Sequence, residues 1–266
     1  MRMRALVPGA VIVLAALLAG CTATAPAPTG SPSAEASAPS PLPSATPTPT
    51  PTPSEKTWAS PAECAALPLS PGAAYDGATL GACVAMALRS TGSGRETIRS
   101  GSQNGEVRFR YAPDFEMQGT IDDAEGSMEV TYIGGQMWID RGTGPIAGDV
   151  TSADPEVMIA GIAGELTRIF ADPAATVDLI AASPAWTVQE PAPVELPNGT
   201  TVDAYRIVSD AAFSWGGVGV DAYELWYSDG WIPVGATGTV SFLGLTETAT
   251  QYYHDLGSPV EITPVG

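Results

Sequence analysis

Chemically reactive side chains are scarce in this 266-residue chain, which holds one histidine, His254, three cysteines and a single lysine, Lys56. One histidine rules out a His-rich zinc site and leaves a Ser-His-Asp arrangement only His254 to work with. No lysine follows position 56, so Schiff-base and lysine-base catalysis are excluded downstream of it. Positive charge is scarce as well: 11 Lys and Arg face 29 Asp and Glu, for a formal net charge of -18. That field repels phosphates and no basic patch offsets it, so no nucleic-acid partner is expected. Ser93 and Ser102 lie near glycines but not in G-x-S-x-G, and Asp122, Asp123, Glu125 and Glu129 lack EF-hand spacing. His254 stands beside Asp255, yet adjacent strand residues point to opposite faces, so it reads as a surface or edge histidine. No cofactor or metal is implied.

What is present begins with an export address. Arg2 and Arg4 precede an apolar run from Leu6 to Leu18, and Leu18-Ala19-Gly20-Cys21 closes it. The run is shorter than the roughly 20 residues a membrane-spanning helix needs. Its order of charge, greasy core and small residues reads as a signal peptide. Residues 1–21 resemble a bacterial lipoprotein signal, with Leu18-Ala19-Gly20 as the lipobox and Cys21 as the lipid-modified first mature residue. A plain secretory signal and an uncut anchor helix are the alternatives, and either leaves the protein outside the cytoplasm. The resemblance implies a diacylglyceryl group on Cys21 that anchors the chain to the extracytoplasmic face of the cell membrane. Two acyl chains hold firmly where one binds only marginally.

Residues 22–57 carry ten Pro among many Ala, Ser and Thr. With almost nothing apolar to bury, they read as a disordered tether. At about 3.1 Å per residue in polyproline conformation, its reach is on the order of 100 Å at most.

Residues 58–266 are the expected globular domain. Setting aside Glu35, Glu55, Arg2, Arg4 and Lys56 leaves 27 acids against 8 Arg, a net charge of -19. In an exported chain the remaining cysteines, Cys64 and Cys83, read as a disulfide. Thr79 to Leu88 has helical spacing. Glu106–Tyr111 alternates strictly, with Val107, Phe109 and Tyr111 on one face. Phe115–Ile121, Ser127–Ile133 and Gln136–Asp140 continue an antiparallel meander with one apolar and one wet face, and the first strand of the set begins near Thr97 or Ile98. Asp154-Pro155 and Asp172-Pro173 are helix starts, the first followed by a stripe through Met158, Ile159, Ile162, Leu166, Ile169 and Phe170. Strands return at Trp186–Gln189, Thr201–Val208, Asp221–Tyr227, Trp231–Val234, Gly238–Leu243, Thr246–Tyr253 and Val260–Thr263. This order predicts an α+β fold: a single curved antiparallel sheet with helices gathered on one side.

Two segments carry a resemblance. Tyr223-Glu-Leu-Trp-Tyr-Ser-Asp-Gly-Trp-Ile-Pro233 looks like a strand, an Asp-Gly turn and a Pro-bearing strand, and Tyr252 to Pro264, with Leu256-Gly-Ser-Pro259-Val-Glu-Ile-Thr-Pro264, looks like a closing strand. Both resemble the actinobacterial envelope lipoproteins of the LppX/LprG kind, related in fold to the lipoprotein carrier LolA. The resemblance implies a half-barrel whose concave face is roofed by helices over an apolar cavity that takes a lipid, glycolipid or other acylated ligand, without catalysis. Carried onto this chain, the walls are Val107, Phe109, Tyr111, Met128, Val130 and Tyr132, then Met158, Ile162, Leu166 and Ile169, then Tyr205, Tyr223, Leu225 and Tyr227. The same residues equally suit an ordinary core, and a non-catalytic structural or protein-interaction module of the envelope, with a protein partner, is the alternative. A carboxylate-based hydrolase ranks third, because no pair of acids is singled out. If Cys21 carries the anchor, the Cys21→Ser chain is expected to take up no labelled palmitate and to leave the membrane fraction. Undiminished labelling would overturn the lipobox reading.

Overall fold

The structure is a computed structural model that describes residues 58–242 and 245–265, so Cys21, the expected signal peptide and the expected tether lie outside the described residues. Its elements are three α-helices and one 14-stranded antiparallel sheet, open rather than closed into a barrel.

Helix α1 (Gly77–Thr91) starts where the Asp76 carboxylate accepts the Thr79 amide at 2.9 Å, satisfying one of the free donors of the first turn. Helices α2 (Pro155–Ala171) and α3 (Pro173–Ala181) begin at the two Asp-Pro pairs, with Asp154 accepting the Glu156 amide at 3.0 Å and Asp172 the Ala174 amide at 2.9 Å. Cys64, in a short 3₁₀ turn, is disulfide-bonded to Cys83 of α1 and pins the start of the domain to that helix. Helix α1 packs on α3 through glycines. A Cβ at Gly77 would lie 2.3 Å from the Ser183 carbonyl oxygen and 2.4 Å from that of Ile180; one at Gly81 would lie 2.9 Å from the Val177 carbonyl oxygen.

The strands are β1 (Ala74–Tyr75), β2 (Ser93–Ser100), β3 (Asn104–Arg110), β4 (Glu116–Asp123), β5 (Gly126–Ile133), β6 (Gln136–Asp140), β7 (Ile146–Ala147), β8 (Trp186–Val188), β9 (Ala192–Glu195), β10 (Thr201–Ser209), β11 (Phe213–Trp215), β12 (Val218–Ser228), β13 (Ile232–Phe242) and β14 (Leu245–His254). The main path runs β1-β8-β10-β12-β13-β14-β2-β3-β4-β5-β6-β7, with β9 on β10 and β11 on β12. Strands β2 to β7 build outward to one edge. The chain then crosses to the other edge through α2 and α3, and the later strands return inward until β14 pairs with β2. The crossing and α1 cover one face, here the inner face, where Leu80, Val84 and Leu88 of α1 and Leu179 and Ile180 of α3 join sheet residues in one core.

One adjustment to the alternation aims side chains at that core. A register shift in β12 between Val220 and Ala222 lets Val220 and Tyr223 both bury, although they are three residues apart. Between β5 and β6, Gly134-Gly135 forms a tight turn, with φ of 60° and 79°.

The structure corrects three expectations. The expected strands Trp231–Val234 and Gly238–Leu243 fall on one strand, β13, over Ile232–Phe242, with Trp231 in the 3₁₀ turn before it and Leu243 outside the described residues; Gly235 does not break it but makes room, since a Cβ there would lie 2.8 Å from the Trp226 ring. Strand β2 begins at Ser93, well ahead of Thr97. Val260–Thr263 is not a strand. It lies irregularly on the outer face, where Arg108 Nε donates to the Glu261 carbonyl at 2.5 Å and Gln118 Nε2 to that of Thr263 at 3.3 Å. Beyond the meander, the outer face also carries a second small core, in which Leu196, Ala204 and Val234 pack with Val194, Val202, Trp226 and Tyr252.

Gly77→Ala is expected to destabilise the domain by about 1–3 kcal/mol, the range for overpacking, because the new methyl meets backbone oxygens rather than flexible side-chain ends. Urea denaturation checks this, and an unchanged midpoint would show that α1 and α3 are not in the close contact described.

Candidate functional site

Alternation along each inner strand decides which side chains meet under the helices. Val107 and Phe109 of β3, Tyr111 just after it, and Met128, Val130 and Tyr132 of β5 are all buried, as are Tyr223, Leu225 and Tyr227 of β12. They belong to one apolar cluster, and Tyr205 of β10 packs against it partly buried. Aromatic contacts run through it: Phe109 to Tyr111 (4.9 Å between centroids), Tyr111 to Phe115 (5.8 Å) and Phe115 to Tyr132 (5.5 Å). A second chain runs from Phe213 through Trp186 to Tyr223, with Trp186 fully buried and donating to the Ile180 carbonyl at 3.1 Å. On the helix side, Met158 and Ile162 of α2 are only partly buried, and the side chains of Leu166 and Ile169 lie outside the described residues. The sheet residues named from the sequence therefore converge on one cluster.

Sequence reasoning missed the polar group in the middle of this face. Glu96 of β2 lies opposite Val107 on one side and Tyr253 of β14 on the other, and is 2% exposed. The Gln251 side chain hydrogen-bonds to its carboxyl, but Oε1 has no hydrogen-bond partner. Burial pushes the carboxyl up to about 7, against the opposing effect of Gln251. Tyr111, Tyr223 and Tyr253 are raised too, first by burial and then by the nearby Glu96 charge; Tyr227 is raised by burial and by Tyr223. One carboxyl and four buried phenols thus make a polar centre inside an apolar wall. The signal was visible in the sequence: in Gly94-Arg-Glu-Thr-Ile98, placing β2 four residues earlier sets Glu96 in register with the inner positions.

The outer face carries the second arrangement. His254 is 4% exposed, not a surface histidine as expected; its Nε2 lies 3.1 Å from Thr97 Oγ1 and its Nδ1 3.3 Å from Asp255. The positive φ of Asp255 (52°) turns the chain at this point, bringing its carboxylate back to its neighbour. Two open grooves flank it. One of about 560 Å³ is lined by Arg95, Arg108, Asp255, Ser258 and Glu261 among others, and one of about 480 Å³ by Arg95, Thr97, Arg99, Glu106 and Arg108 among others. Three of the four acids considered for a cation are already engaged: Asp123 is bridged by Arg141, which also lies 3.7 Å from Glu125, and Glu129 accepts from Thr120 at 2.9 Å. Among the described residues, no three His, Cys, Asp or Glu side chains come together to hold a metal ion, and no helix is long and apolar enough to cross a membrane.

No family model and no curated protein matches this chain. Among solved structures, the crystal structure of LprF from Mycobacterium bovis aligns with 71% of this chain and 97% of that chain, at 12% identity and a TM-score of 0.42. A likeness at that level carries no argument about ligand or activity.

Glu96 makes stability depend on pH with a definite sign. Its ordinary value is 4.5 and its folded value about 7, so its contribution is fully present below about pH 4.5 and is lost as pH rises through 7. In Glu96→Gln that loss disappears. The stability advantage of the variant over the native protein is expected to grow by about 2–3 kcal/mol between pH 5 and pH 8, measured by urea denaturation at each pH. A constant difference would mean that Glu96 ionises as freely as it does in water.

Proposed function

We propose that the protein is a membrane-anchored extracytoplasmic lipoprotein that binds or transfers a lipid or another acylated apolar ligand on the inner face of its sheet. The supporting observation is the continuous aromatic and aliphatic wall of β3, β5 and β12, enclosed by a helical crossing whose α2 residues Met158 and Ile162 are only partly buried. The signal-and-tether reading of residues 1–57 and the resemblance of Tyr223–Pro233 and Tyr252–Pro264 to the LppX/LprG kind point the same way. Binding would need no chemistry: each buried CH₂ contributes roughly 0.8 kcal/mol. The wall residues of the proposal are those expected from sequence, with Leu166 and Ile169 of α2 among them.

A second reading has its own observation. The two polar grooves on the outer face offer arginines and acids side by side, which suits a protein-interaction module of the envelope more than a lipid. Mass spectrometry of the intact Cys21→Ser chain under non-denaturing conditions separates the two. The carrier reading expects an adduct of lipid mass that vanishes on denaturation, or uptake of an added acyl lipid. A chain that arrives empty and takes up none would leave the interaction module standing and overturn the carrier.

A further inference from the structure

Glu96, whose carboxyl takes one hydrogen bond from the Gln251 side chain, keeps one oxygen without a donor in the middle of the inner face. Its Oε1 is buried and unpartnered, and among the described residues Arg95, Arg110, Arg141 and Arg206 are each bridged to another carboxylate. Of the hydroxyl-bearing side chains buried with it, Tyr111, Tyr223 and Tyr253 feel its charge and Tyr227 neighbours Tyr223. Leaving a charged or polar group unpaired in such surroundings is costly, and a ligand that supplies the missing donor removes that cost. A ligand bringing its own negative charge does the reverse, since two carboxylates in one dry site oppose each other.

From this we infer that Glu96 and the four tyrosines form the head-group site of the inner face, and that it selects apolar molecules whose head donates hydrogen bonds and carries no negative charge, such as an acylated polyol. The inference rests on the lipid-binding reading and names its ligand class. The apolar tail lies along the wall of Phe109, Val130 and Leu225, and the head hydroxyls donate to Glu96 Oε1. The domain's net charge of -19 works in the same direction, because it disfavours the approach of anionic amphiphiles.

Two probes of equal chain length isolate the head group: 1-monolauroylglycerol and laurate, each titrated calorimetrically at pH 8 into the full chain carrying Cys21→Ser. The expected result is at least ten-fold tighter binding of the glyceride. Glu96→Gln, which keeps the shape and removes the charge, is expected to bring the two affinities within about three-fold. Equal affinities in the native site, or a preference that Glu96→Gln leaves intact, would overturn the head-group assignment while lipid binding itself stands. Binding of neither probe would remove the lipid-binding reading and this inference with it. Should Glu96→Gln fold poorly, the native preference at pH 8 is measured in low and in high salt: a preference that survives high salt belongs to the buried carboxylate, and one that salt abolishes belongs to the domain's net charge and overturns the assignment.

Discussion

The pairing of the last strand with the first holds the architecture together. Strand β14 meets β2 from Ala249 opposite Ser100 to His254 opposite Arg95, joining chain segments about 150 residues apart. Everything between must already lie in place for that ladder to form: the outward run to β7, the helical crossing, and the inward return from β8. Such a non-local closure is slow and depends on loops being brought together first. The disulfide between Cys64 and Cys83 and the glycine-mediated contact of α1 with α3 tie down the helical layer that lies over the sheet. Because α2 and α3 connect opposite edges, they have no route except across one face. The covered inner face is therefore a consequence of strand order, not of helix composition.

Charge is distributed around that seam unevenly. Four arginines, 37–48% exposed, are spent on ion pairs with Glu106, Glu116, Asp123 and Glu224, and the pair with Glu106, open on both sides, is worth little by itself. Arg99 instead stacks over the Tyr252 ring, 5.6 Å from its centroid. After this pairing most acids are left facing water, and the surface as a whole is negative. Among the described residues one carboxylate, Glu96, is carried into the core beneath the helices, and it sits on the seam strand itself, flanked by Tyr253 across the β14 side. The ladder that closes the sheet thus also brings the carboxyl among the phenols.

Much of this was legible in the residues. Strict alternation at Val107, Phe109 and Tyr111 placed the inner wall, and both Asp-Pro pairs marked true helix starts, because a capping carboxylate and a proline at the first turn act locally. The errors came where tertiary packing overrode local pattern. Gly235 looked like a strand break and is the space for the Trp226 ring. Val260–Thr263 has strand composition, but Pro259 and Pro264 bound it, and side chains of Arg108 and Gln118 hold it in place of a ladder. His254 looked exposed because its burial depends on neighbours distant in the chain. Glu96 escaped notice for the same reason: a single glutamate in Gly94-Arg-Glu-Thr-Ile98 reads as a solvated residue until the strand's starting point fixes which way it faces.

A buried acceptor on the closing seam ties folding to binding. The folded protein holds Glu96 in a form that resists ionisation, so the unfolded state gains relative to it as pH rises. A bound donor reverses that balance by hydrogen-bonding the ionised carboxyl, and anything that binds only the folded state stabilises it by mass action. The same side chain therefore sets two quantities that would otherwise be independent, the affinity for the head group and the pH at which the empty domain weakens. Substituting an apolar residue there would tighten the core while removing the head-group contact, which is the trade-off expected where a binding group is placed inside a fold's own packing. The seam is the natural position for it, because there the two halves of the sheet present their inner side chains to one another across a single ladder, and one carboxyl reaches the tyrosines of both.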